Sequence, residues 1–132
     1  MEFKSLILIE KDMESNEFIR EMDSYELGEG AMYIEKFYYD GSFVNIVFNI
    51  DEDMEDWKYN SILDHFNTEV FEKYTCSIEE VEGEYNPTWI IKFKYTDDFD
   101  LMSEKLEDIC EEIYNQIKIV MEFVEKNRDQ LI

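Results

Sequence analysis

From residue 99 onward, apolar side chains recur at a period that only an α-helix can gather on one side. Heptad positions a and d hold Phe99, Met102, Leu106, Ile109, Ile113, Val120 and Phe123, and the neighbouring e positions hold Cys110, Ile117 and Val124. Three to four apolar residues per two turns make a stripe too broad to leave in water, so a second layer must cover it. Gln116 is the one interruption of the d column. A helix over residues 99–128 would run roughly 45 Å at 1.5 Å per residue. That exceeds the width of a compact domain of this size, so the helix is expected to overhang or kink.

The covering layer is written in the rest of the chain at a period of two. β-branched and aromatic residues come in short runs over residues 3–11, 18–27, 31–39 and 43–50, each bounded by polar turn clusters, which predicts four strands. Val44, Ile46, Phe48 and Ile50 alternate with Asn45, Val47 and Asn49, so one face of the fourth strand belongs to the core. Asp40-Gly41 predicts a two-residue type I′ hairpin turn. The period then changes: Tyr59, Ile62, Leu63, Phe66 and Val70 fall on one stripe of a helix over residues 53–67, with Met54 and Trp57 off it. Residues 74–82 and 89–95 form a second hairpin, with Trp89, Ile91, Phe93 and Tyr95 on one face and Lys92 and Lys94 on the other. The expected fold is α+β: an antiparallel sheet (four-stranded meander, helix, hairpin) with a long C-terminal helix packed on one face. No linker or repeat divides the chain, so residues 1–132 are read as a single domain.

Charge limits the partners. The chain carries 34 Asp and Glu against 12 Lys and Arg, a net −22, yet 45% of its residues are hydrophobic, which places it among folded rather than disordered chains. Nucleic acids and anionic lipid surfaces should repel it, because affinity for polyanions comes from clustered Lys and Arg. Direct nucleic-acid binding and membrane association are therefore not expected. The apolar run Leu6, Ile7, Leu8 and Ile9 is too short for a signal segment or a membrane span, and a cytoplasmic location is expected. Cys76 and Cys110 lack C-x-x-C spacing and read as free thiols and small core residues.

No spacing identifies a reaction. Asp51, Asp53 and Glu55 alternate like calcium ligands, but Asp56 stands where such a loop needs glycine and Ile62 where it needs a bidentate Glu. These acids, like Asp97, Asp98 and Asp100, read instead as helix-opening carboxylates. Glu104, Glu107, Asp108, Glu111 and Glu112 would stand side by side on a helix surface and read as a solvated face; a magnesium-dependent hydrolase would need a facing acidic helix. His65 has no companion nucleophile and reads as a surface or capping residue. Glycine-rich nucleotide loops and a nucleophile elbow are missing from the sequence. No catalytic, cofactor-binding or metal-binding residue is assigned.

The distribution of charge is more informative. Residues 51–84 hold twelve acids against Lys58 and Lys73, residues 97–112 hold eight against Lys105, and residues 113–132 balance three acids with three bases. In that neutral stretch Ile119 and Met121 flank the core stripe and, with Phe123, make the helix apolar over most of its circumference; either the sheet and the first helix wrap this end, or it is exposed as a partner interface and homodimer contact. The leading expectation is a small acidic binding protein acting by contact with another macromolecule, through a protein partner or self-association. Element order and acidity resemble those of the acidic secretion chaperones, although their usual first helix is missing; the resemblance implies a homodimer that holds extended client segments. Two alternatives stand beside it. One is an acidic inhibitor, a nucleic-acid mimic or an immunity protein against a basic nuclease. The other is a small-molecule binder in which the sheet grips the last helix.

Overall fold

The computed structural model describes residues 4–132. Phe3, the expected start of the first strand, lies outside them. The alternating segments build six strands: β1 (Lys4–Lys11), β2 (Phe18–Leu27), β3 (Ile34–Tyr39), β4 (Phe43–Asn49), β5 (Ser77–Glu80) and β6 (Thr88–Lys94). The helical segments give α1 (Asp56–His65), α2 (Phe99–Lys126) and α3 (Arg128–Leu131), with 3-10 turns at Glu29–Tyr33 and Glu69–Tyr74. The α+β architecture with a long C-terminal helix is as expected. The sheet differs: it is mixed, in the order β2-β1-β3-β4-β6-β5.

The expected meander fails between β2 and β3. β3 pairs with β1 instead, in parallel, setting Ile9 beside Tyr38 and Glu10 beside Tyr39. The chain makes this crossing through the first 3-10 turn, where Gly30 and Ala31 are buried rather than extended in a strand. Gly30 lies so close to α2 that a Cβ there would stand 2.0 Å from the Cys110 carbonyl oxygen. A side chain would push the two backbones apart, so glycine is what lets the turn tuck against α2 and deliver β3 to the far side of β1. β2 buries Tyr25 and Leu27 but little before them, as an edge strand can.

Smaller departures have local causes. Gly41 is at φ +94°, whereas Asp40 is not in the left-handed region. The central pair of the β3–β4 turn is therefore Gly41-Ser42, the pattern of a type II′ turn displaced by one residue from the expected Asp40-Gly41 type I′ turn. Asp40 instead closes the turn, its Oδ1 accepting from the Ser42 and Phe43 amides at 2.9 and 2.7 Å. The helix expected from residue 53 starts at Asp56, and no side chain caps it. Its supposed opening acids are engaged elsewhere, Asp53 accepting from the Tyr85 hydroxyl at 2.6 Å and Asp51 from the Asn86 amide at 3.2 Å. Asp98 does cap α2, accepting from the Asp100 and Leu101 amides at 3.1 and 3.2 Å. The strand expected from residue 74 begins at Ser77, because residues 69–74 form the second 3-10 turn. The long helix breaks at Asn127, φ −106°, before α3.

One core joins the layers. Trp89, Phe48, Phe66 and Phe71 stack among themselves with ring centroids 4.2 to 6.5 Å apart. Beside them Leu8, Ile46, Ile91 and Phe93 meet Met102, Leu106, Ile109, Ile113 and Val120 of α2. Each such side chain contributes about 1.5–3 kcal/mol by leaving water. Met54 and Trp57 pack at the margin of this core, where the Arg128 guanidinium lies 5.7 Å from the Trp57 ring centre. The helices cover one face of the sheet. Ile7, Ile9, Tyr38, Val47 and Ile90 are not part of that core cluster, and their strand positions put them on the opposite face.

Candidate functional site

α2 places the sequence-derived interface residues on different sides. Ile119 is 57% exposed and Phe123 39% exposed, one turn apart on the outer surface. Met121 packs against the core instead. The structure thus brings Ile119 and Phe123 together and separates Met121 from them. Around the pair, Lys118, Glu122 and Lys126 are exposed, so the patch lacks the acidity of the rest of the protein. The His65 ring lies 4.6 Å from that of Phe123, which makes this histidine an exposed neighbour of the patch. Lys58 ties α1 to the same region, bonding Glu52 at 3.2 Å and Glu125 at 2.9 Å.

The other half of α2 is acidic. Glu104, Glu107, Asp108 and Glu111 are exposed, as a solvated face requires. Glu112 is not: it is 7% exposed, a correction to the expected ridge. Its carboxylate accepts from the Tyr74 hydroxyl and the Gln116 amide, each at 3.0 Å, and pairs with Lys73 at 3.0 Å. Burial pushes the Glu112 carboxyl up, but the hydrogen bonds from Gln116, Lys73 and Tyr74 outweigh it and hold the group below its ordinary value. Gln116, the break in the apolar column, is the residue that makes this burial tolerable. Its place one turn after Glu112 was the available sequence signal.

Beside the acidic half runs a groove of about 400 Å³, lined by Gly28, Glu29 and Gly30 on one side and by Glu107, Asp108, Glu111, Tyr114 and Asn115 on the other. Glu29 joins the α2 carboxylates only through the crossing of the first 3-10 turn, which the sequence did not reveal. Neither thiol is poised for nucleophilic chemistry. Burial pushes the Cys110 thiol up to about 12 and raises that of Cys76 as well. Among the described residues, no three His, Cys, Asp or Glu side chains converge as a metal site would require. No helix among them is long and apolar enough to cross a membrane.

Over residues 1–132 the sequence matches a family described as a family of unknown function (DUF6762). No curated protein and no solved structure matches it.

Proposed function

The chain belongs to this family of unknown function, and from its own surface we propose that it is a small acidic protein acting by macromolecular contact, a chaperone-like or adaptor module that works as a homodimer. The observation that supports this reading is the exposed Ile119 and Phe123 pair on α2, in the one stretch of the helix where charge is balanced. Two copies at −22 repel each other, so a contact between them is best placed where carboxylates are sparse and apolar surface is available. A cytoplasmic setting belongs to the same reading, since both cysteines are free thiols.

The test is light scattering on the wild type and on an Ile119→Glu, Phe123→Ser variant. Met121 is left alone because it packs on the core. The reading expects a wild-type dimer and a variant that is monomeric at the same concentration with an unchanged unfolding curve. A variant that dimerises as the wild type does would refute the placement.

The groove favours a second reading, an acidic inhibitor. Glu29, Glu107, Asp108 and Glu111 present carboxylates on both sides of one cleft, suited to a cationic surface of a basic nuclease. Salt-sensitive capture of a basic protein, weakened by Glu107→Gln with Glu111→Gln, would support it. The small-molecule reading has less in its favour: a ligand gripped between sheet and α2 would have to displace Trp89, Ile109 and Ile113, which fill that layer with no exposed surface.

A further inference from the structure

The sheet ends in two strands, β2 and β5, and they are unlike. β5 is four residues long and lies against the second 3-10 turn. β2 runs for ten residues, and among the described residues β1 is the only segment whose main chain bonds to it. An edge strand turns alternate N–H and C=O groups away from its neighbour, so the outer side of β2 is a row of donors and acceptors open to water. Two irregularities guard it against indiscriminate pairing. Met22 and Asp23 together face Leu8, and the register shifts again between Glu10 and Lys11. Residues 24–27, by contrast, pair without interruption with residues 4–7 and leave a regular template.

The two faces beside this edge differ in chemistry. Towards the helices, Tyr25 and Leu27 are buried and Met22 packs against the core. The Phe99 ring stacks on that of Tyr25, 5.1 Å away, and is still 48% exposed, so the first turn of α2 brings spare apolar surface to the edge. On the opposite face Glu26 pairs with Ser5, Ser24 with Ile7 and Glu21 with Ile9. Glu21, Asp23 and Glu26 are exposed, and among the described residues none of them enters an ion pair. The one cation of the strand, Arg20, is already held by Glu10 at 2.7 Å.

We propose that β2 is a docking edge for an extended basic segment of another protein, which adds a strand beside residues 24–27. Main-chain hydrogen bonds supply the affinity and side-chain alternation the specificity. Apolar side chains of the segment lie next to Tyr25, Leu27 and Phe99, and its Lys or Arg side chains lie on the other face next to Glu21 and Glu26. Charge selects this occupant. A second copy would bring an identical strand with the same free carboxylates, and a nucleic acid would bring phosphates. A polyamine would meet the carboxylates but leave the main-chain groups unpaired and Phe99 uncovered. The inference rests on the reading of this protein as one that acts by macromolecular contact, but not on the α2 dimer or the acidic groove.

Fluorescence anisotropy with a labelled peptide of alternating Lys and Val tests it, beside a Glu-Val peptide and a Lys-Val peptide with every main-chain nitrogen methylated. The methylated peptide keeps the side chains and loses the donors. Wild type is expected to bind the Lys-Val peptide, less tightly as salt is raised. Affinity should fall by roughly tenfold or more for the methylated peptide, and equally for the Lys-Val peptide on a Glu21→Lys, Glu26→Lys variant whose far-UV circular dichroism matches wild type. Amide shifts in the wild-type complex should centre on residues 24–27 and the first turn of α2. Absence of binding, equal binding of the methylated peptide, tighter binding of the Glu-Val peptide, or shifts confined to the groove or to Ile119 and Phe123 would overturn the proposal. The Ile119→Glu, Phe123→Ser variant should bind the Lys-Val peptide as wild type does, which separates failure of the edge from failure of the dimer. A dimer that survives in that variant and is dissociated by the Lys-Val peptide would assign the edge to a second copy and refute the foreign segment.

Discussion

Replacing Gly30 by alanine should be among the most damaging single-methyl additions available in this protein. The added Cβ would sit 2.0 Å from the Cys110 carbonyl oxygen and 2.9 Å from its carbon. Those atoms belong to the middle of α2, so no flexible side chain can swing aside. The 3-10 turn or the helix has to move. Overpacking of a closed core costs about 1–3 kcal/mol when side chains can adjust, and a clash against helix backbone should reach the upper end, about 3 kcal/mol. Against a total stability of about 5–15 kcal/mol, that loss moves a urea midpoint by roughly 1.5 M at a slope of about 2 kcal/mol/M. Gly28→Ala is the control, because nothing lies within 4 Å of a Cβ built there and its φ of −78° is open to any residue. Its midpoint should shift by no more than about 0.5 kcal/mol equivalent. A Gly30→Ala protein within about 1 kcal/mol of wild type would refute the close crossing beneath α2, and with it the reason given for the mixed sheet.

Gly41→Val should cost more than about 1 kcal/mol, because a β-branched residue is strained at the φ of +94° found there; chemical denaturation reads it. Glu112 should give a pH signature. Its carboxyl titrates below the ordinary value of 4.5 in the folded protein, so its contribution is present above that pH and is lost as pH falls through the folded value. Glu112→Gln should therefore cost about 1–3 kcal/mol at neutral pH for the disturbed hydrogen bonds, with little from Lys73, whose side chain is 62% exposed. The deficit should shrink as pH falls below 4.5 and through the lowered folded value, and a deficit independent of pH would refute the assignment. General relief of charge repulsion on acidification acts on both proteins and cancels in the comparison.

Local rules carried most of the secondary structure. The heptad stripe placed α2 with its buried Met102, Leu106, Ile109, Ile113 and Val120, and alternation placed the core face of β4 and β6. Pairing partners were not legible, because the same alternating pattern suits a neighbour on either side. The decisive residue, Gly30, acts through a contact with Cys110 eighty residues later in the chain. For the same reason the groove between Glu29 and Glu107 could not be read from spacing, nor could the burial of Glu112 by Lys73 and Tyr74. Helical periodicity set Phe123 within the core stripe and Ile119 and Met121 on its two flanks, and could not tell that Phe123 turns outward beside Ile119 while Met121 turns towards the core. Lys92 and Lys94 were legible as facing away from the apolar side of their strand. Their company with Lys11 and Lys36 depends on strand order.

Sedimentation equilibrium of the wild-type protein at rising salt tests the central proposal, a homodimer through the neutral half of α2, most directly. At low ionic strength the net charge of −22 on each chain opposes association, and at about 0.15 M salt the screening length falls to about 8 Å. The account predicts a monomer–dimer equilibrium whose dissociation constant decreases as salt is added, because repulsion is screened while the apolar contact of Ile119 and Phe123 is not. A single species of monomer mass at every salt and protein concentration would contradict it.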